Sequence, residues 1–111
     1  MKTVLTLTLV LIILSSGCVQ LPKTNSIASQ CIALCQEALK ENKNLSNGHC
    51  LSDNNSNWKI DNWVCDVAHS PRQDVDNQRE NQCDKWWDGY QKGNAPYFTE
   101  VTPNCDFIRT G

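Results

Sequence analysis

Two stretches of this chain place apolar residues at helical spacing. In residues 27–40 the apolar positions recur every three or four residues, and Asn25 or Ser26 precedes them as a candidate cap. In "DNQRENQCDKWWDGY" (76–90), an asparagine and a glutamate at capping-box spacing come before cysteine and aromatic residues, which again recur at helical spacing. Each stretch predicts one amphipathic helix.

Two other stretches have the pattern of β-strands. "NWVCDVA" (62–68) alternates, so that Trp63, Cys65 and Val67 share one side, and "PYFTEVTP" (96–103) is an apolar and β-branched run bounded by prolines. The order is helix, strand, helix, strand, with long loops between them. We therefore predict a small, disulfide-stapled α+β domain with about two helices and a short antiparallel sheet.

The first residues have a different character from the rest of the chain. "MKTVLTLTLVLIILSSGC" begins with Lys2, continues with an uncharged run over 4–14 and ends in small residues. These are the three parts of a secretory signal. The run is also too short to cross a bilayer as a helix, which takes about 20 residues. We predict a signal peptide over 1–17.

The residues around the predicted cleavage site resemble the lipobox of prokaryotic lipoproteins. Gly17 and Ser16 fit that pattern before Cys18, whereas Ser15 stands where the family usually has leucine, and Leu14 lies one residue too far back. The resemblance implies that Cys18 becomes the new N-terminus and that its thiol carries a diacylglycerol. Two fatty chains anchor a protein stably to a membrane. Ordinary cleavage, which would release a secreted protein with Cys18 free, is the alternative.

The seven cysteines support this division of the chain. If Cys18 carries lipid, six remain, an even number that suits disulfides in an exported protein. A domain over 31–111 is small for a self-sufficient core, and disulfides would supply stability, while residues 18–30 form the lipid-anchored N-terminus and linker. The six predicted disulfide cysteines are Cys31, Cys35, Cys50, Cys65, Cys83 and Cys105.

The spacing of these cysteines leaves their pairing open, since six cysteines allow fifteen connectivities. Cys31 and Cys35 lie one turn apart on the same face of the first predicted helix, so we expect each to bond to a separate partner. No C-x2-C pair is present, which argues against a zinc site. The sequence predicts no metal and no cofactor.

Charge and aromatic content narrow the choice of partner. The net charge is −2 and no basic stripe occurs, so we expect no nucleic-acid partner. Of the four tryptophans, Trp63 and Trp86 occupy inward-looking positions and are predicted to be core residues. Trp58 and Trp87 are the candidates for exposed rings that stack on a sugar or peptide.

The most unusual internal segment is "CDVAHSPRQDVDNQRENQC" (65–83). We predict that this loop, held at both ends by bridged cysteines, is a recognition surface for a protein or glycan, because constrained polar loops lose little entropy on binding. Its candidate binding residues are Asp66, His69, Arg72, Asp74 and Asp76. A small hydrolase that uses His69 with an aspartate or Ser70 is the alternative, although no G-x-S-x-G motif is present.

The mature part also resembles a group of proteins. "WVCDVAHSPRQDVDNQRENQC" followed by "FTEVTPNC" is similar to small cysteine-containing exported proteins of archaea. The resemblance implies a shared fold from Cys31 to Cys105 and carries over no catalytic residue. The sequence thus predicts a binding module, tethered through lipid on Cys18 to the outer face of the cytoplasmic membrane.

Overall fold

Two α-helices and four strands form the part of the chain that the structure describes, residues 26–111 of a computed structural model. The signal peptide, the lipobox and Cys18 lie outside these residues. In chain order the elements are α1 (Ile27–Lys40), β1 (His49–Cys50), β2 (Trp63–Val67), two 3-10 turns (Asp74–Asn77 and Arg79–Asn81), α2 (Asp84–Gln91), β3 (Tyr97–Val101) and β4 (Phe107–Thr110). The predicted α+β class is confirmed.

Helix α1 has the predicted bounds, and its first turn includes residues 27–30, which the sequence analysis assigns to the linker. It is capped by Ser26, whose hydroxyl accepts a hydrogen bond from the Ser29 backbone N–H at 3.1 Å. This contact satisfies one of the N–H groups that a helix start leaves without a partner. The buried face of α1 consists of Cys31, Leu34, Cys35 and Ala38.

The four strands form one sheet in the order β1-β2-β3-β4. β1 pairs with β2 and β3 pairs with β4 antiparallel, but the central pair, β2 and β3, is parallel. The antiparallel pairing that we expect between these two strands is therefore wrong. Residues 68–96 contain the 3-10 turns and α2, and they form a crossover that returns the chain to the end of the sheet where β2 began.

Helix α2 begins later than predicted. The sequence pattern places a cap at Asn77, whereas residues 74–81 form two 3-10 turns and Cys83 precedes the first helical residue. The cause is Asp76, whose carboxylate accepts the backbone N–H of Gln73 at 2.9 Å and closes a turn there. This local hydrogen bond competes with continuous helix.

All six predicted cysteines form disulfides. The pairs are Cys31–Cys65, Cys35–Cys105 and Cys50–Cys83, with Cα–Cα distances of 5.5, 5.5 and 4.9 Å. The two cysteines of α1 have separate partners, as predicted, and they attach this helix to β2 and to the turn before β4. The third pair joins edge strand β1 to the residue that precedes α2.

The sheet has two unlike faces, because successive side chains of a strand point to opposite sides. The core face carries Cys65, Val67 and Val101, which pack with the buried residues of α1 in the apolar core. The opposite face carries Val64 and Asp66 of β2 and Phe98 and Glu100 of β3, which line a cavity. We call this second surface the polar face.

Candidate functional site

A cavity of about 200 Å³ lies between the polar face and α2. Strands β2, β3 and β4 supply its floor, and α2 and the loop before it supply the opposite wall. Its lining residues are Val64, Asp66, Arg72, Gln82, Cys83, Trp86, Trp87, Phe98, Glu100 and Arg109. The cavity therefore combines aromatic rings with two carboxyl groups and two guanidinium groups.

The aromatic wall is formed mainly by α2. Trp86 and Trp87 meet edge to face with ring centroids 5.2 Å apart, and Trp86 also stacks on Tyr90 at 5.2 Å. The Trp87 indole N–H donates to the Gln82 side-chain oxygen at 2.6 Å. α2 buries none of its residues, although an eight-residue helix with this many aromatic side chains is expected to cover a core.

The predicted core position of Trp86 is therefore wrong. Each of the four tryptophans is partly exposed. Trp58, a candidate for exposure, packs against the core, and its indole N–H donates to the backbone carbonyl of Trp63 at 2.9 Å. Trp87 lines the cavity, in agreement with its predicted accessibility. The spacing of aromatic residues marks the inner face of α2 correctly but does not distinguish a packed core from a cavity wall.

Glu100 is the charged centre of the polar face. Its two carboxylate oxygens accept hydrogen bonds from Arg72 at 2.9 Å and from Arg109 at 2.6 Å. The Arg109 guanidinium also lies over the Phe98 ring, 5.2 Å from its centroid. Glu100 is almost fully buried, whereas both arginine side chains reach solvent. The charge of Glu100 is thus compensated within the protein.

Asp66 lies beside Glu100 on the same face, since the two residues are register partners in the parallel pair. Its Oδ1 is buried and has no hydrogen-bond partner. Burial, followed by the charge of Glu100, raises the pKa of Asp66 to about 8, although the Val67 backbone N–H and Arg72 act in the opposite direction. Asp66 is therefore predominantly a neutral carboxylic acid at pH 7, and it is a lining residue of the cavity whose buried Oδ1 has no hydrogen-bond partner.

The five candidate residues of the predicted binding loop do not form one surface. Asp66 and Arg72 line the cavity, while Asp74 is exposed in the first 3-10 turn and lies outside it. His69 and Asp76 bond to each other, with 2.8 Å between Nδ1 and Oδ1. Of the five candidate binding residues, only Asp66 and Arg72 contribute to the cavity.

Asp76 organises the loop. Besides the His69 ring, its carboxylate accepts the backbone N–H groups of His69 at 3.0 Å and Gln73 at 2.9 Å. Burial acts to raise the pKa of Asp76, but the hydrogen bonds from Gln73 and His69 outweigh it and the pKa is lowered. Because His69 meets Asp76 through Nδ1, its Nε2 is the ring nitrogen left for other chemistry.

Sequence reasoning does not identify Glu100, Arg109 or Phe98 as site residues. A signal for the first of these is present, because Glu100 stands inside an otherwise apolar strand pattern, just as Asp66 does in the preceding strand. A carboxylate in a strand interior needs a partner or a function. The contribution of Arg109 depends on β4, an edge strand that the sequence analysis does not predict.

One group of side chains has the composition of a metal site. The sulfur atoms of Cys50 and Cys83 and a carboxylate oxygen of Asp53 lie within 4.8 Å of one another. The two sulfurs form a disulfide. In this oxidised form Asp53 is the group's only anionic ligand, and its carboxylate accepts the Asp84 backbone N–H at 2.6 Å.

Comparison of the chain with protein-family models, curated proteins and solved structures found no match in any of the three. The resemblances to lipoprotein signals and to archaeal exported proteins therefore remain predictions from the sequence. Within residues 26–111, neither helix has the length and apolar character required to cross a membrane.

Proposed function

We propose that this protein is a membrane-anchored extracytoplasmic lipoprotein that works as a binding module of the cell envelope and holds part of a protein or glycan in the cavity. The observation that carries the proposal is the buried Oδ1 of Asp66, which lacks a partner on the wall of an aromatic-lined cavity. A buried polar atom without a hydrogen bond costs about 1–3 kcal/mol. A ligand that completes this bond recovers that energy.

The scaffold around the cavity favours binding by a preformed site. Cys83 belongs to the cavity lining and is bonded to Cys50, so the start of α2 is fixed to strand β1. Arg72, another lining residue, is held by the Glu100 carboxylate and by the Asn77 side chain, the latter at 2.7 Å. Side chains that are held in place before binding lose little entropy when a ligand arrives.

The three disulfides support an oxidising location, because disulfides persist in extracytoplasmic compartments and are rare in the cytosol. The predicted signal over 1–17 and lipid on Cys18 would bring the domain to the outer face of the cytoplasmic membrane. A short linker would then keep the cavity close to the envelope components that a binding module recognises.

The anchor is tested by expressing the full chain and its Cys18→Ala variant in a prokaryotic host and separating membranes from soluble fractions. The expected wild-type product is membrane-bound and has an intact mass that includes a diacylglycerol on Cys18. The variant should lose this mass and its lipid anchorage, while all three disulfides remain. A wild-type protein that is cleaved and released without lipid contradicts the anchor and supports a secreted protein.

The hydrolase alternative is favoured by one observation, the hydrogen bond between His69 Nδ1 and the buried carboxylate of Asp76. This arrangement fixes the tautomer of a general base in catalytic triads. The Asp76 carboxylate, however, also accepts two backbone N–H groups, so the contact has a structural role in the turn. Within residues 26–111 no hydrogen bond joins His69 to the Ser70 hydroxyl.

A His69→Ala variant separates the two functions. A hydrolase would lose nearly all turnover with any substrate that it cleaves. For the binding module we expect little change in affinity, since His69 is not among the residues that line the cavity. The matched control is His49→Ala, which removes the other histidine of the chain from an exposed position in β1.

A further inference from the structure

We propose that the cavity binds one neutral or acidic sugar unit of a glycan, which stacks on the indole rings of α2 and hydrogen-bonds to Asp66. This inference rests on the proposed binding function and names the class of ligand for the same site. It is carried by the size of the cavity, by the placement of its aromatic and polar groups, and by the pairing of its charges.

The size of the cavity limits the ligand to a small unit. Cavities that enclose drug-sized ligands measure about 300–1,000 Å³, whereas this one measures about 200 Å³. It is also partly open to solvent, so a longer chain can continue outwards from the bound unit. One residue of a polymer fits these dimensions better than a whole folded partner does.

The two walls require a ligand with two kinds of surface. Trp86 and Trp87 supply flat apolar rings from the helix, and Phe98 adds a third ring from β3. Asp66 and the arginines supply hydrogen-bonding groups from the opposite side. A pyranose ring has this character, because its C–H groups form apolar faces that stack on aromatic rings while its hydroxyl groups project around the edge.

The charges of the cavity argue against a cationic ligand, because two arginines share one ionised carboxylate. Both oxygens of Glu100 are occupied by Arg72 and Arg109, so this carboxylate has no free charge to offer a cation. Since the Asp66 carboxyl is predominantly protonated at pH 7, it offers one O–H donor and one acceptor oxygen rather than a negative charge. A sugar hydroxyl both accepts and donates, and it matches this group without bringing a charge into the cavity.

The ligand class is tested with the natively purified full-length protein, oxidised and held in detergent. The probes are neutral hexose and N-acetylhexosamine oligosaccharides, a uronic acid, an amino sugar with a free amine, and soluble peptides of similar size. Binding is followed by tryptophan fluorescence and calorimetry. We expect saturable binding of at least one neutral sugar or of the uronic acid, with weaker binding of the amino sugar.

Variants place the binding in the cavity. Trp86→Ala should weaken the binding of the sugar about tenfold, which corresponds to about 1.4 kcal/mol. Trp63→Phe, a change in a tryptophan outside the cavity lining, is the control and should leave the affinity unchanged. Asp66→Asn keeps a donor and an acceptor and should retain affinity, whereas Asp66→Leu should lose it. Near-ultraviolet circular dichroism verifies that each variant remains folded.

The outcomes distinguish the two proposals. Preferential binding of a peptide or of the amino sugar, with the same dependence on Trp86 and Asp66, overturns the inference of a neutral or acidic sugar and leaves the binding module intact. If folded Trp86→Ala and Asp66→Leu variants bind every probe as the wild type does, the cavity is not the site and both proposals fail. If the Asp66→Leu variant keeps its affinity while Trp86→Ala loses it, the proposed hydrogen bond between the sugar and Asp66 is wrong.

Discussion

The two faces of the central sheet are built from the same strands but have opposite properties. Cys65 and Val101 point towards α1 and are fully buried, while their chain neighbours Asp66 and Glu100 point towards the cavity. Within residues 26–111, no buried side-chain nitrogen or oxygen on the core face lacks a hydrogen-bond partner. On the polar face a carboxyl oxygen remains without a partner and an aromatic helix leaves a cavity unfilled.

This difference shows how a small domain can keep an unsatisfied site. The core face is held by packing and by two disulfides to α1, so stability does not depend on filling the opposite face. Departures from good packing and full hydrogen bonding occur in proteins chiefly where function requires them. Four predictions test whether stability belongs to one face and binding to the other.

The largest effect is expected from removal of a core-face disulfide. The Cys35–Cys105 bond joins residues 70 apart, and loss of this constraint on the unfolded chain lowers the free energy of unfolding by about 4 kcal/mol. A Cys35→Ala/Cys105→Ala variant measured by urea denaturation checks this value. The matched control, Cys50→Ala/Cys83→Ala, opens a loop of 33 residues and should cost slightly less, but it should also weaken ligand binding because Cys83 lines the cavity.

Neighbouring substitutions on the two faces should differ in cost. Val101→Ala removes two buried methyl groups from the core and should lower the free energy of unfolding by about 2–3 kcal/mol. Glu100→Gln keeps the volume and removes a charge whose arginine partners are 39% and 58% exposed, so solvent limits the loss to about 1 kcal/mol. Equal losses in denaturation experiments would contradict the proposed division between the faces.

The third prediction concerns pH. Because the folded protein keeps a proton on Asp66 up to about pH 8, whereas an unfolded aspartate releases it near pH 3.8, stability due to this group is greatest below pH 3.8 and falls as pH rises to about 8. Asp66→Asn should remove this dependence, so the difference between variant and wild type should grow from pH 4 to pH 8.

The pH experiment has an internal check. The lowered pKa of Asp76 has the opposite sense, since stability from that carboxylate is present above its ordinary pKa and is lost as pH falls through the lowered value. Its effect therefore lies at the acidic end and is shared by wild type and Asp66→Asn. A constant difference between the two proteins across the range would show that Asp66 is ionised in the folded state.

The smallest stability effect is expected at the aromatic wall. Trp86→Ala removes a partly exposed ring from a helix that has no buried residue, so the free energy of unfolding should change by less than about 1 kcal/mol. Thermal denaturation provides the measurement. A loss of several kcal/mol would instead make Trp86 a structural residue and would weaken the case for a site dedicated to binding.

The sequence predicts the elements that local patterns define. Helix α1 has both a cap and a regular apolar period, and its predicted bounds agree with the structure. β1 and β4 are missed because one has two residues and the other has no clear alternation, so their pairing depends on neighbouring strands. The predicted start of α2 is wrong because the hydrogen bonds of Asp76 leave no trace in the spacing of apolar residues.

The site could be predicted only in part for a related reason. Asp66 and Arg72 stand in an unusual polar loop, which draws attention to them, but Glu100 reaches the same cavity through a parallel register 34 residues away in sequence. The direction of the β2–β3 pair depends on the path of the crossover, as does the choice among fifteen cysteine pairings. Neither is encoded in a local pattern.

The position of Cys83 connects the cavity with the redox state of the chain. This residue both precedes α2 and closes the bond to Cys50, so the aromatic helix acquires its fixed place only after oxidation. In a reducing cytosol the newly made chain would lack that attachment. We therefore expect the cavity to bind a ligand only after the Cys50–Cys83 bond has formed.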